Sequence, residues 1–193
     1  MMYDLPKSLV VCGSEYEIRS DYRAVLDICA ALSDNELNDQ EKAVTALDIF
    51  YPSFAEMPPE HYQEALERCF WFIDCGEEQR DQKAPKLVDW EQDFKYIVSP
   101  VNRVLGQEIR SVPYLHWWTF ISAYYEIGDC TFAQIVRIRD KKARGKALDK
   151  QDQEWYRRNR GIVDFKTRYT QEDEDLFDAW VGKKEPPNLG GSD

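Results

Sequence analysis

Two histidines, His61 and His116, and five cysteines, Cys12, Cys29, Cys69, Cys75 and Cys130, are the side chains best suited to nucleophilic, metal-binding or near-neutral proton chemistry. Zinc would need close pairs such as C-x-x-C or H-x-x-x-H, and neither spacing occurs. Each histidine stands among apolar residues, where a core ring bonded to a backbone carbonyl is the simpler reading. The acidic run "QEDEDLFD" lacks the alternating oxygen ligands and the glycine of a calcium loop. Glycines are scattered, so no phosphate-cradling loop is formed. A Cys–His or paired-carboxylate site assembled in space is not visible in spacing. The expectation is a protein without enzymatic activity, cofactor or metal.

An odd number of widely spaced cysteines points to reduced, mostly buried thiols. The opening "MMYDLPKSLVVCG" has no basic region followed by a long apolar run, and no apolar run approaches the roughly 18 residues of a membrane span. Neither a signal peptide nor a membrane partner is expected.

The 193 residues carry a net charge of -11, which argues against a surface that grips nucleic acid throughout. Positive charge is nonetheless concentrated: Arg137 to Arg160 holds ten Lys or Arg against four acids. That segment is about +6 and the remainder about -17. It reads as the solvated face of a helical hairpin. Trp155 and Tyr156 could instead stack on bases, or the segment could meet an acidic neighbour such as another copy of the chain.

Hydrophobic periodicity predicts the elements that would position these groups. "SLVVCGSEYEIRS" predicts a β-hairpin over Leu9 to Arg19, around Gly13-Ser14. Everything after it reads helical. Ser20 or Asp21 can cap a helix with Tyr22, Val25, Leu26, Cys29 and Leu32 on one face. A second helix carries Ala43, Val44, Leu47 and Phe50 to Pro52, and a third opens at Pro58-Pro59 with Tyr62, Ala65, Leu66, Cys69, Phe70 and Ile73, ending near Gly76. "EEQRDQKAPK" reads as a linker. A fourth helix starts near Asp89, with Trp90, Phe94, Ile97 and Val101 inward and Pro100 as a possible kink. A fifth follows Pro113, a sixth is capped by Thr131 and runs to Gly145, and Asp149 can cap a seventh. The sum is a mainly α, multi-helix single domain over residues 1–170 with an N-terminal β-hairpin. A short acidic and aromatic C-terminal helix is expected over 171–182 and a disordered tail over 183–193.

"PYLHWWTFISAYYEIGDC" is the least ordinary stretch. On a helix, Tyr114, Trp117, Trp118, Ile121 and Tyr125 form one stripe, and His116, Phe120, Ala123, Tyr124 and Ile127 a second. Either this is a central core helix, or one stripe packs inward while the other meets a partner chain.

"YLHWWTFISAYYEIGDCTFAQIVRIRDKKARGKALDKQDQEWYRRNR" resembles the signature half of a bacteriophage family designated gene product fifteen. "WEQDFKYI", "VCGSEYEIRSDYRAVLDI" and "LNDQEKAVTALDIFY" extend the resemblance over nearly the whole chain. Leu115-His116-Trp117-Trp118 is its most specific part, and "VNRVLGQEIRSV" departs from the pattern. The resemblance implies a tail-gene protein of long-tailed phages or prophages of Gram-positive bacteria. It also implies a tail-assembly chaperone that coats the tape measure protein in the host cytoplasm, with contacts to the major tail tube protein and to further copies of itself. On that basis the candidate interaction residues are Trp117, Trp118, Tyr124, Tyr125, Phe177 and Trp180, with Arg137, Arg139, Lys141 and Lys142 for electrostatic contact. The alternatives are a structural component of the virion and a nucleic-acid-binding regulator.

Overall fold

Cys12 and Gly13 both take positive φ, +48° and +79°, as the two central residues of a tight hairpin turn of the primed class require. They join β1 (Ser8–Val11) to β2 (Ser14–Glu17) in an antiparallel ladder that pairs Val11 with Ser14 and Leu9 with Tyr16. The hairpin forms in the expected stretch, but it starts one residue earlier, turns at Cys12-Gly13 instead of Gly13-Ser14, and ends at Glu17 instead of Arg19. The computed structural model describes residues 4–77 and 85–166. Among these, seven α-helices follow the hairpin: α1 (Tyr22–Leu32), α2 (Asp39–Phe50), α3 (Tyr62–Ile73), α4 (Trp90–Leu105), α5 (Trp117–Tyr125), α6 (Thr131–Ala143) and α7 (Lys150–Val163). The chain is a mainly α single domain, as expected. The predicted helix over 171–182, with Phe177 and Trp180, and the tail over 183–193 lie outside the described residues, as does most of the linker.

Local chemistry accounts for most of the helix starts. Asp21, Asn38, Asp89 and Asp149 each accept a hydrogen bond from a first-turn amide, and Glu41 returns the bond at Asn38 to close a capping box. Residue order predicts Thr131 as the cap of α6; the cap is Cys130, whose Sγ accepts from the Ala133 N–H. Helix α4 runs unbroken through Pro100 and stops at Gly106, which takes φ +68°.

The core joins the hairpin to α1 through α6 around Tyr22, Phe50, Tyr51, Phe72, Ile97, Trp117, Phe120 and Phe132, all at most 2% exposed. A satellite core of Ile135, Ile138 and Val163 holds α7 onto α6. Several predicted stripes are rotated. In α1 the fully buried positions are Tyr22, Val25 and Ile28. Ala46 replaces Val44 in α2, and Phe72 replaces Phe70 in α3, leaving Val44 and Phe70 exposed. A stripe of three- and four-residue spacing has neighbours on both flanks, and which flank is covered depends on how the helices cross.

Candidate functional site

The Leu115-His116-Trp117-Trp118 motif sits where the chain leading into α1 meets the chain leading into α5. These lead-in segments pair like a short ladder: Tyr22 N–H donates to the Leu115 carbonyl at 2.9 Å, and Trp117 N–H to the Ser20 carbonyl at 2.8 Å. The Asp21 carboxylate takes the Leu115 N–H at 2.8 Å. This pairing starts α5 at Trp117 and not at Pro113, so Tyr114 lies outside the helix and is exposed.

His116 is buried and both its ring nitrogens are engaged. Nδ1 accepts the Trp118 amide N–H at 3.0 Å as the helix cap, so the proton resides on Nε2, which donates to the Pro6 carbonyl at 3.0 Å. Burial, aided by nearby Lys7, pushes its pKa down and favours this neutral tautomer. The ring therefore has no lone pair left for a substrate proton. It is the carbonyl-bonded core histidine that its sequence context suggests. His61 is not: its Nδ1 pairs with the Tyr16 hydroxyl at 2.8 Å.

The tandem tryptophans close the end of α3. Trp117 Nε1 donates to the Ile73 carbonyl and Trp118 Nε1 to the Phe72 carbonyl, both at 2.9 Å. The last carbonyls of a helix have no partner within it, and here two consecutive indoles supply one each. Trp117 is 2% exposed and belongs to the core, while Trp118 and Tyr124 are half-buried. Tyr125 is 58% exposed, so it alone of the four aromatic candidates on α5 lies mainly in solvent.

From this motif a chain of rings runs outward. Phe120 stacks on Tyr22 at 5.0 Å between centroids, and Tyr22 stacks on Phe94 at 6.3 Å. Trp90 meets Trp117 edge-on at 5.9 Å and Tyr124 at 5.2 Å. Tyr22, Leu26 and Ala30 of α1, with Trp90 and Phe94 of α4, line an open groove of about 530 Å³. Arg23, Asp27, Glu91 and Arg110 complete its lining. Helix α5 thus supports this surface from beneath. The periodicity that marks Trp90 and Phe94 as inward-facing is correct for one side of each ring, and their half-buried state marks the side that is not covered. A second, more polar cleft of about 730 Å³ lies alongside, lined in part by Lys7, Arg19, Asp21, Asp48 and Tyr114.

The basic segment buries one of its cations and pairs most of the others at the surface. Arg139 is 4% exposed and forks onto the buried Asp93, with Nη1–Oδ2 at 2.5 Å and Nη2–Oδ1 at 3.0 Å. Arg137 and Lys141 both reach the fully buried Asp152, at 2.6 and 2.5 Å. The Lys141 ammonium is the main cause that holds this carboxyl below the usual carboxylate range. Lys142 joins the Tyr156 hydroxyl and Asp164. Arg144, Arg158 and Arg160 also pair with carboxylates of their own helices or of the α7 terminus. Seven of the segment's ten cations thus pair with acids of the same chain, and of those acids Asp93 and Asp164 come from outside the segment. Arg139 has no guanidinium face left to offer a partner.

Among the described residues, no group of three or more His, Cys, Asp or Glu could hold a metal ion, and no helix is long and apolar enough to cross a membrane. The thiols of Cys29 and Cys69 are pushed up to about 12 by burial, which keeps them protonated.

Fold and site together define a mainly α-helical single-domain protein whose aromatic motif organises the core and supports an open, ring-lined groove between α1 and α4. The chain belongs to the bacteriophage Gp15 protein family, whose model matches residues 2–165. It is therefore a phage protein. Neither the curated proteins nor the solved structures include a significant match.

Proposed function

We propose that this chain is a phage tail assembly protein, a non-enzymatic chaperone that binds the tape measure protein in the host cytoplasm before the tail tube closes around it. Membership of the Gp15 family supports a phage role, and the α1–α4 groove carries the finer reading. A client made of long helices presents apolar residues at three- and four-residue spacing, and a groove with ring and aliphatic walls and a charged rim suits such a stripe. Leu26, Trp90 and Phe94 are the client-facing residues on this reading, with the buried Tyr22 ring as the floor between them. The groove lies between two helices packed on the core, so it is formed before any client arrives. A net charge of -11 keeps such a surface soluble while it is exposed.

The test is co-expression with the tape measure protein, followed by pulldown and a protein inventory of finished particles. The expected result is a complex that Leu26→Glu abolishes, and no copies of this chain in mature particles. A chain that ignores the tape measure protein but persists stoichiometrically in particles is a structural virion component. Retention on DNA or RNA that falls steeply with salt would make it a nucleic-acid-binding regulator.

A further inference from the structure

The α1–α4 groove is close to the point where the described chain ends. The Lys166 N–H donates to Gln92 Oε1 at 3.0 Å, and Gln92 Nε2 donates to the Asp164 carbonyl at 3.0 Å. Gln92 lies on α4 between Trp90 and Phe94, which line the groove. Chain leaving Lys166 must therefore cross roughly one helix diameter, about 10 Å, to reach those rings. Ten residues onward, at Leu176, an extended chain spans roughly 33 Å.

Leu176, Phe177, Trp180 and Val181 follow at i, i+1, i+4 and i+5, a spacing that places four apolar side chains on one face of a helix. Four acids, Glu172 to Asp175, precede this group, and Lys183 and Lys184 follow it. The rim of the groove carries the same two signs, Arg23 and Arg110 against Asp27 and Glu91. Arg110 is 63% exposed and Arg23 39%, so both remain within reach of a further carboxylate.

We propose that Leu176, Phe177 and Trp180 seat in the α1–α4 groove of their own chain, so that the free protein covers this ring-lined groove with its own C-terminal segment. The occupant is intramolecular because the tether is short, which gives the segment an effective concentration in the millimolar range. This docking concerns the chain alone and stands whether or not the tape measure protein is the client.

Oxidative footprinting of the full-length protein tests it. In the wild type, Trp90, Phe94 and Trp180 are expected to oxidise slowly, and Trp180 several-fold more slowly than in a free peptide of residues 170–184. The variant F177D/W180D, altered outside the described fold, should raise oxidation of Trp90 and Phe94 several-fold while Trp117 stays protected. Leu26→Glu should expose Trp180 from the other side of the contact. Protection that persists on tenfold dilution supports docking within one chain, and protection lost on dilution would assign the groove to a second copy and overturn the proposal. Trp90 and Phe94 oxidising equally in wild type and F177D/W180D would overturn it outright, even if Leu26→Glu fails to fold.

Discussion

Arg139 on α6 and Asp93 on α4 form a forked ion pair with both side chains at most 4% exposed. The same guanidinium donates Nε–H to the Val163 carbonyl at 2.6 Å and Nη2–H to the Ile162 carbonyl at 3.2 Å, at the C-terminal end of α7. It also reaches the Leu87 carbonyl at 2.9 Å and lies over the Phe165 ring. One side chain thus ties α4, α6 and α7 together. Each charge is tolerable only because the other is present.

Arg139→Met should lower unfolding stability by about 3–5 kcal/mol, because it leaves Asp93 buried without its counter-ion. Adding Asp93→Leu to the same chain should recover a large part of that loss. Urea melts of the two single variants and the double variant check this, and a wild-type midpoint for Arg139→Met would refute it.

Trp118→Phe keeps a ring in place but removes the donor to the Phe72 carbonyl, and Trp117→Phe does the same at Ile73. Trp117→Phe should cost about 1–3 kcal/mol for an unmatched carbonyl at Ile73, and Trp118→Phe less, because the Phe72 carbonyl keeps the Cys75 N–H at 3.1 Å. Trp117→Ala should cost more, about 3–5 kcal/mol, since the ring is almost fully buried. Thermal melts followed by circular dichroism would order the three.

His116 makes stability depend on pH in a defined direction. Its folded pKa lies below the unfolded value of 6.5, so the unfolded chain binds the proton more readily. The contribution is complete above about pH 6.5 and is lost as pH falls through that value towards the folded pKa. Protonation at Nδ1 would also remove the acceptor that caps α5. His116→Asn, which retains a capping oxygen, should flatten the decline in melting temperature between pH 7 and 5.

Thiol labelling should separate the cysteines by environment. Cys12 is exposed, but its Sγ hydrogen-bonds to Glu64 at 3.2 Å and its pKa is raised chiefly by that contact. Iodoacetamide at pH 8 should modify Cys12 in the native protein, faster after Glu64→Gln. Cys69, buried and protonated, should react only once the protein is unfolded. Mass spectrometry of the native and urea-treated protein distinguishes the two.

Features governed by short stretches of chain were legible in the residue order. The N-terminal hairpin, expected around Gly13-Ser14 and turning one residue earlier at Cys12-Gly13, the caps at Asp21 and Asp149, and the stop after α3 near Gly76 all rest on neighbours a few positions apart. The Leu115-His116-Trp117-Trp118 motif was visible too, and with it the family. Its work was not: the carbonyls that the indoles satisfy lie 44 and 46 positions away. No local spacing encodes a partner at that distance. Charge was misleading for the same reason. Arg139 looks like one more surface cation in a basic run, and only the packing of α6 against α4 brings Asp93 beneath it, 46 positions back.

By itself, then, the sequence determined helix, hairpin and lineage, because backbone preference, capping and periodicity act within one or two turns. Tertiary structure decided which face of each helix is covered, which charges are neutralised and where an open apolar surface remains. Those outcomes depend on how separate helices cross, and burial converts a crossing into a free energy only once the distant partner has arrived.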